Sequence, residues 1–386
     1  MPAEFLPGNR LTLLNSGAEY FPALIAAIDA AISEVHLESY IFENDATGQA
    51  VAAALRRAAA RGVTVRLLVD GFGAYDFAAT LMPDLLAAGV QVMIYRRDIA
   101  RFRLRRHRLR RLHRKLAAID GRIGFVGGIN VIDDCNTPQR MAPRYDYAVR
   151  IEGPLLVPIR RALQRVWELV VWASFRRRFR IEAPRAQPAL PAGSQLAAFL
   201  VRDNIRHRRD IEDAYLDAIA TARESILIAN AYFLPGRRFR MALRDAVLRG
   251  VTVTVLLQGR VEYRLLHYAI QALYGRLLGA GIRIFEYQRS FLHAKVAVID
   301  RDWATVGSSN IDPFSLLLAR EANVVVRDEK FAGELRQSLQ QALRESSEEL
   351  PPARWRRLSW PARLLRWASY NLVRVAIGIA GYGGKH

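Results

Sequence analysis

The chain has 386 residues, 51% of them hydrophobic, with 57 Lys and Arg against 37 Asp and Glu for a net charge of +20. That length suits two domains of ordinary size, and that apolar content excludes general disorder. One cysteine, Cys135, excludes an intrachain disulfide framework and fits a reducing compartment, while the basic excess points to a polyanionic partner, either nucleic acid or an anionic membrane.

The N-terminal MPAEFLPGNRLTLL has no basic stretch followed by an apolar run, so no secretory leader is expected. No apolar segment approaches the ~18 residues needed to cross a bilayer, so any membrane contact is expected to be peripheral. AVAAALRRAAARG (50–62) predicts a helix and VTVRLLV (63–69) a short buried strand; a second helix (77–89) and a second strand, VQVMIY, follow. Short apolar runs between helices predict an α/β class with mixed or parallel sheets covered by helices.

The chain then repeats itself. RGVTVRLLVDG (61–71) returns as RGVTVTVLLQG (249–259), AGVQVMIY (88–95) as AGIRIFEY (280–287), HRKLAAID (113–120) as HAKVAVID (293–300), and FVGGIN (125–130) as TVGSSN (305–310). Two similar domains are expected, 1–182 and 196–348, joined by a Pro-bearing linker at 183–195 and followed by a basic, aromatic tail at 349–386. The repeat offset falls from 280 − 88 = 192 to 293 − 113 = 180, so the first half carries 12 extra residues before its histidine. They lie within RRDIARFRLRRHRLRR (96–111), which holds nine Arg and the apolar Phe102, Leu104 and Leu109.

Each half holds a His, a Lys two residues on and an Asp five further: His113, Lys115, Asp120 and His293, Lys295, Asp300. On an extended strand, positions two apart share a face, so imidazole and ammonium point the same way. That is an odd core element and a sensible phosphate site. Lys supplies charge, Asn130 and Asn310 supply amide donors, and Gly128 and Ser308 let the backbone approach. Two histidines at one phosphate predict two steps, one ring attacking phosphorus and the other moving protons. Carboxylates that would orient them follow each motif: Asp146 at 146 − 113 = 33 residues after the first His, Glu321 at 321 − 293 = 28 after the second. Tyr40 (in ESYIF) and Tyr232 (in NAYFL) read as matching residues near the cleft. No zinc-type Cys/His cluster and no nucleotide-binding glycine loop is present, so no metal or cofactor is expected.

The pattern H-x-K-x4-D followed by GG-x-N or GSSN resembles the paired signature of the phospholipase D superfamily. HRKLAAIDGRIGFVGGIN, DYAVRIEGP, ANAYFLPGRRF and LHAKVAVIDRDWATVGSSNIDPFSLLLAREANV together resemble bacterial cardiolipin synthases, especially the shorter B type, from about residue 10 to 345. The resemblance implies two phospholipase D-like domains related by a pseudo-twofold with the active site between them. It implies a metal-independent phosphohistidine mechanism, phosphatidylglycerol as donor, and peripheral association with the bacterial inner membrane on its cytoplasmic side. It makes His113 and His293 the catalytic pair, His113 the nucleophile, with Lys115, Lys295, Asn130 and Asn310 on the phosphate and Asp120 and Asp300 in support. The alternatives are hydrolysis of phospholipid or, less favoured, of nucleic acid. Two motifs in one chain and the apolar residues in the Arg-rich segment favour lipid. Residues 361–380 predict an amphipathic helix with Leu365, Leu372 and Ile379 on one face and Arg363, Arg366 and Arg374 opposite, suited to a membrane interface or to the protein's own core.

Overall fold

The computed structural model describes residues 3–96, 111–137, 142–174, 179, 190–203, 207–312, 319–356 and 358–380. Of the segments singled out above, 97–110, 183–189 and 381–386 lie outside the described residues. The first half runs β1 (Leu6–Asn15), α1 (Ser16–Asp29), β2 (Glu34–Ser39), α2 (Ala46–Ala60), β3 (Thr64–Asp70), α3 (Met82–Ala87), β4 (Gln91–Tyr95), β5 (Arg111–Leu112), β6 (Leu116–Ile119), β7 (Ile123–Gly127), β8 (Tyr147–Glu152) and α4 (Leu156–Ala173). The second half repeats that succession: β9 (Gln195–Arg202), α5 (Asp210–Thr221), β10 (Ser225–Asn230), α6 (Arg237–Leu248), β11 (Thr252–Gln258), α7 (Arg264–Gly279), β12 (Arg283–Tyr287), β13 (Lys295–Ile299), β14 (Trp303–Gly307), β15 (Ala319–Arg327) and α8 (Glu329–Ser346). It adds β16 (Ser347–Glu349), α9 (Pro352–Arg356) and α10 (Trp360–Ala380).

The VTVRLLV run becomes β3 because β-branched and Leu side chains suit a strand covered on both faces. It lies parallel between β2 and β4, with α2 and α3 as crossovers, and β11 lies likewise between β10 and β12. Asp45 starts α2 by accepting the Gly48 N–H at 2.9 Å. Apart from β5, which lies parallel to β15 off this path, the remaining strand pairings are antiparallel, giving the order β4-β3-β2-β6-β7-β8-β1 in one half and its mirror, β9-β15-β14-β13-β10-β11-β12-β16, in the other. The expected two mixed sheets are thus present, and β1 pairs antiparallel with β9 to join them edge to edge.

Among the described residues four apolar clusters form, one of them, Leu68, Met93, Val166 and Trp167, beneath α4. Leu24, Val51, Leu55 and Val65 fill the space between the first sheet and α1 and α2. Ile219, Leu243, Val255 and Leu273 do the same beneath α5, α6 and α7. Between the halves, β7 and β8 pack against β14 and β15, burying Val126 and Val149 with Val306 and Val324. This shared core locks the two repeats together and places the starts of β6 and β13 beside each other.

The tail helix does two things at once. Its Ser369 and Val373 are buried against α7, and Arg366, expected to face solvent, donates to Gln271 Oε1 at 3.0 Å. Its other face leaves Trp360, Leu364, Leu365, Trp367, Leu372 and Val375 exposed. The alternatives of interface helix and core helix are therefore not exclusive.

Candidate active site

The two histidines are held by reciprocal exchange between the halves. β5 lies parallel to β15, and His113 N–H donates to Arg320 O at 2.9 Å. In the mirror position Leu292 bridges Tyr145, and His293 N–H donates to Tyr145 O at 2.9 Å. Side chains at the ends of β3 and β11 clamp the same segments: Asp70 Oδ2 accepts from Leu112 N–H at 2.8 Å and Gln258 Oε1 from Leu292 N–H at 3.0 Å. Sequence reasoning missed this pair, although LLVDG and LLQG align them. Arg114, between His113 and Lys115, points away as the strand alternation requires, and its guanidinium forks onto buried Glu38 at 2.6–2.9 Å.

The orienting carboxylates cross over, which corrects the sequence expectation that each follows its own histidine. His293 Nδ1 lies 2.6 Å from Asp146 Oδ2, and His113 Nδ1 lies 3.1 Å from Glu321 Oε1. The second contact is close but off the hydrogen-bond axis, as is common before substrate tightens a site. Each half thus supplies the carboxylate for the other's histidine, because β8 and β15 are the strands on which the partner segment lies. The two carboxylates are not equivalent. Glu321 is fully buried and ion-paired with buried Arg202, whereas Asp146 accepts the N–H of Tyr147 at 2.8 Å.

The charges favour neutral imidazoles. Burial, then the Lys115 charge, pushes the His113 pKa down to about 4, and burial, then Lys295 and Lys115, holds His293 well below the usual histidine range. Burial, then Lys295, lowers Lys115. Burial lifts Asp146 to about 6 against the pull of Lys295. Burial would lift Glu321 too, but Arg202 and the His113 contact bring it below the carboxylate range. The rings keep 17% and 22% side-chain exposure, so each presents its Nε2 edge to an incoming group. Lys115 and Lys295 donate to the carbonyls of His113 and His293, which leaves further N–H donors for an anion.

Asn130 and Asn310 lie at the ends of the loops after β7 and β14, both nearly buried. Asn130 Oδ1 accepts from Ile41 N–H at 3.2 Å, while Asn310 Oδ1 has no partner among the described residues. Ser308 locks the same loop to β15 by donating its N–H to Ala322 O and accepting the Ala322 N–H. Gly128 is required: a Cβ there would stand 2.3 Å from Asp146 Oδ1.

Asp120 and Asp300 are not brought to the site, which corrects their expected place. They sit five residues beyond the lysines, roughly 16 Å along an extended strand. Asp120 accepts the N–H groups of Ile32, Ser33 and Glu34, and Asp300 those of Arg223, Glu224 and Ser225. Each occupies a tight turn with φ of 51° and 47° and anchors the start of β2 or β10. The tyrosine match is off by one. Phe42 bridges Val131 as Phe233 bridges Ile311, so Tyr40 corresponds to Ala231. Tyr40 packs 4.9 Å from the His113 ring, and Tyr232 instead bonds Glu262.

A family model described as cardiolipin synthase, PLD-like domain, matches residues 24–167 and 215–343. Cardiolipin synthase B of Escherichia coli is 40% identical over 339 residues, 88% of this chain and 81% of that protein. Cardiolipin synthase A of Pseudomonas putida is 32% identical over 345 residues, 89% of this chain and 70% of that protein. A phosphatidylserine synthase from Haemophilus influenzae superposes with a TM-score of 0.72 at 13% identity, covering 98% of this chain and 96% of that one, which speaks to fold alone. The fold is therefore phospholipase D-like, doubled within one chain. The chain belongs to the cardiolipin synthase family.

Proposed function

We propose that this protein transfers a phosphatidyl group from one phosphatidylglycerol to a hydroxyl of a second, making cardiolipin and releasing glycerol. The observation that carries the reading is the crossed pairing of His113 with Glu321 and His293 with Asp146 around Lys115 and Lys295, in a chain of this family. In the first step His113 Nε2 attacks phosphorus and the P–O bond to glycerol breaks. His293 gives the leaving oxygen its Nε2 proton while the proton of Asp146 moves onto Nδ1, so the ring stays neutral. In the second step the acceptor hydroxyl loses its proton to His293, its oxygen bonds phosphorus, and the P–N bond breaks. The lysines and the asparagine amides hold the phosphate oxygens. The Glu321–Arg202 ion pair supports His113 as nucleophile, since an ionised carboxylate at Nδ1 keeps Nε2 free. The readily protonated Asp146 suits a histidine that takes and returns a proton.

The exposed apolar face of α10 supports peripheral seating on an anionic bilayer, with Trp360 and Trp367 at headgroup depth and Arg363 and Arg374 toward the lipid phosphates. The matched segments fall either side of 183–195, which supports reading that stretch as the linker between two domains. The test is incubation of the pure protein with phosphatidylglycerol vesicles and a chelator, followed by identification of lipids. Cardiolipin with equimolar glycerol is expected. Phosphatidic acid alone would replace the transferase with a hydrolase.

A further inference from the structure

The second step brings two phosphodiesters together, one bonded to His113 and one carried by the incoming lipid a glycerol's length away. Like charges that close repel each other, and Lys115 and Lys295 already serve the reacting phosphate. A further cation is needed for the second. We propose that Arg111 holds the phosphodiester of the acceptor lipid and so selects an anionic acceptor over a neutral alcohol. The proposal rests on the transferase reading and adds to it a residue that sets acceptor choice.

Strand alternation aims Arg111 at the cleft. Leu112 is buried beneath α4 with Val166 and Trp167, and Arg114 donates to Ala162 O of α4 at 3.2 Å. Arg111, His113 and Lys115 therefore share the opposite face. Two residues of extended chain span ~6.6 Å, about the separation of two phosphates joined through a three-carbon bridge. The Arg111 guanidinium lies over the Phe72 ring, 5.0 Å from its centroid, and its Nη1 is buried with no hydrogen-bond partner among the described residues. A buried donor left that way is costly until an acceptor meets it, and phosphodiester oxygens are acceptors of the right charge. Asp70, whose field reaches Arg111, does not take that place, since its oxygens accept the N–H groups of Leu112, Phe72 and Gly73. The second repeat has no equivalent. Phe291 stands two residues before His293 and is buried. Arg144, whose charge reaches His293, donates to Asp133 O at 3.3 Å and lies in the field of Glu43 and Asp134. The doubled fold thus carries a spare guanidinium on one side, as a reaction with a single anionic acceptor requires.

The test lets two acceptors compete for one phosphoenzyme. Vesicles of phosphatidyl-p-nitrophenol supply the donor, with phosphatidylglycerol in the same vesicles and deuterated glycerol in solution. Both products leave the same intermediate, so the initial ratio of cardiolipin to deuterated phosphatidylglycerol reads the acceptors alone. Arg111→Gln is expected to lower that ratio at least 5-fold, and Arg111→Lys, which keeps the charge, to restore part of it. A structural defect, or an arginine that serves the reacting phosphate, lowers both products in parallel; an unchanged ratio overturns the proposal. A second series replaces phosphatidylglycerol with glycerophosphoglycerol in solution, which has the same phosphodiester and no chains. The wild type is expected to prefer it to glycerol, and Arg111→Gln to lose that preference. No preference in the wild type, or an effect of Arg111→Gln confined to the lipid acceptor, assigns Arg111 to the membrane surface and overturns the proposal while transfer stands. A wild type that yields only phosphatidic acid ends the transferase reading, and the proposal with it.

Discussion

Glu321→Gln changes one oxygen to an NH2 group at the most constrained point of the site. Glu321 is 0% exposed and Arg202 2%, so the variant leaves a guanidinium buried without its counter-charge. Removing one partner of a buried ion pair costs ~3–5 kcal/mol. The chemical effect is separate. A Gln amide can present N–H to His113 Nδ1, which then accepts, so the ring proton moves to Nε2 and the nucleophilic lone pair is lost. A carboxylate-to-amide change behind a reacting histidine costs on the order of 10⁴ in turnover. The two effects separate in the double variant Glu321→Gln/Arg202→Met. Replacing the stranded cation with an apolar side chain is expected to recover most of the lost stability and none of the turnover. Urea unfolding followed by tryptophan fluorescence gives the first quantity, and cardiolipin formation from phosphatidylglycerol vesicles the second. The reasoning fails if Glu321→Gln keeps more than about a tenth of wild-type turnover, or if the double variant regains activity along with stability.

The remaining predictions concern stability and the membrane. His36 is buried edge-on to Trp167, and its pKa falls from 6.5 to about 3 through burial and the nearby Arg66 and Arg114 charges. The folded state therefore binds fewer protons than the unfolded chain between those values. Stability contributed by the neutral ring is complete above pH 6.5 and lost as pH falls; between pH 6.5 and 5 the loss is ~2 kcal/mol at 1.36 per pH unit. His36→Leu is expected to flatten that slope in urea titrations, and an unchanged slope would count against it. Trp367→Ser/Leu372→Ser changes two exposed residues of α10, and each large apolar side chain contributes ~1.5–3 kcal/mol when buried. The variant is expected to keep its melting temperature and bind anionic vesicles at least 10-fold more weakly, which sedimentation measures; equal binding would reassign that face.

Much of this architecture was legible from the repeated segments alone. LLVDG and LLQG, HRKLAAID and HAKVAVID, and FVGGIN and TVGSSN mark β3, β6 and β7 and their counterparts, because strand composition and turn chemistry are local. The crossing of Asp146 and Glu321 was not legible. Spacing along the chain says nothing about which half a strand faces, and the exchange depends on β5 and Tyr145 pairing with the opposite repeat. Asp120 and Asp300 misled for a related reason: a residue within a motif can be kept for its turn. The β2/β10 register was hidden by the accident of a tyrosine one position along. The tail helix split the two alternatives because one face of a helix can pack while the other remains exposed, which periodicity alone cannot apportion.

The central claim is a covalent phosphatidyl group on one histidine. Wild type and the His113→Ala and His293→Ala variants are mixed with radiolabelled phosphatidylglycerol, quenched in alkali, where phosphohistidine survives, and mapped by peptide. The account predicts label on the peptide carrying His113 in the wild type, none in His113→Ala, and no net cardiolipin from either variant. Label at His293 alone would exchange the two roles. Cardiolipin formed by either variant at near wild-type rate, or label on neither histidine during turnover, would contradict the mechanism.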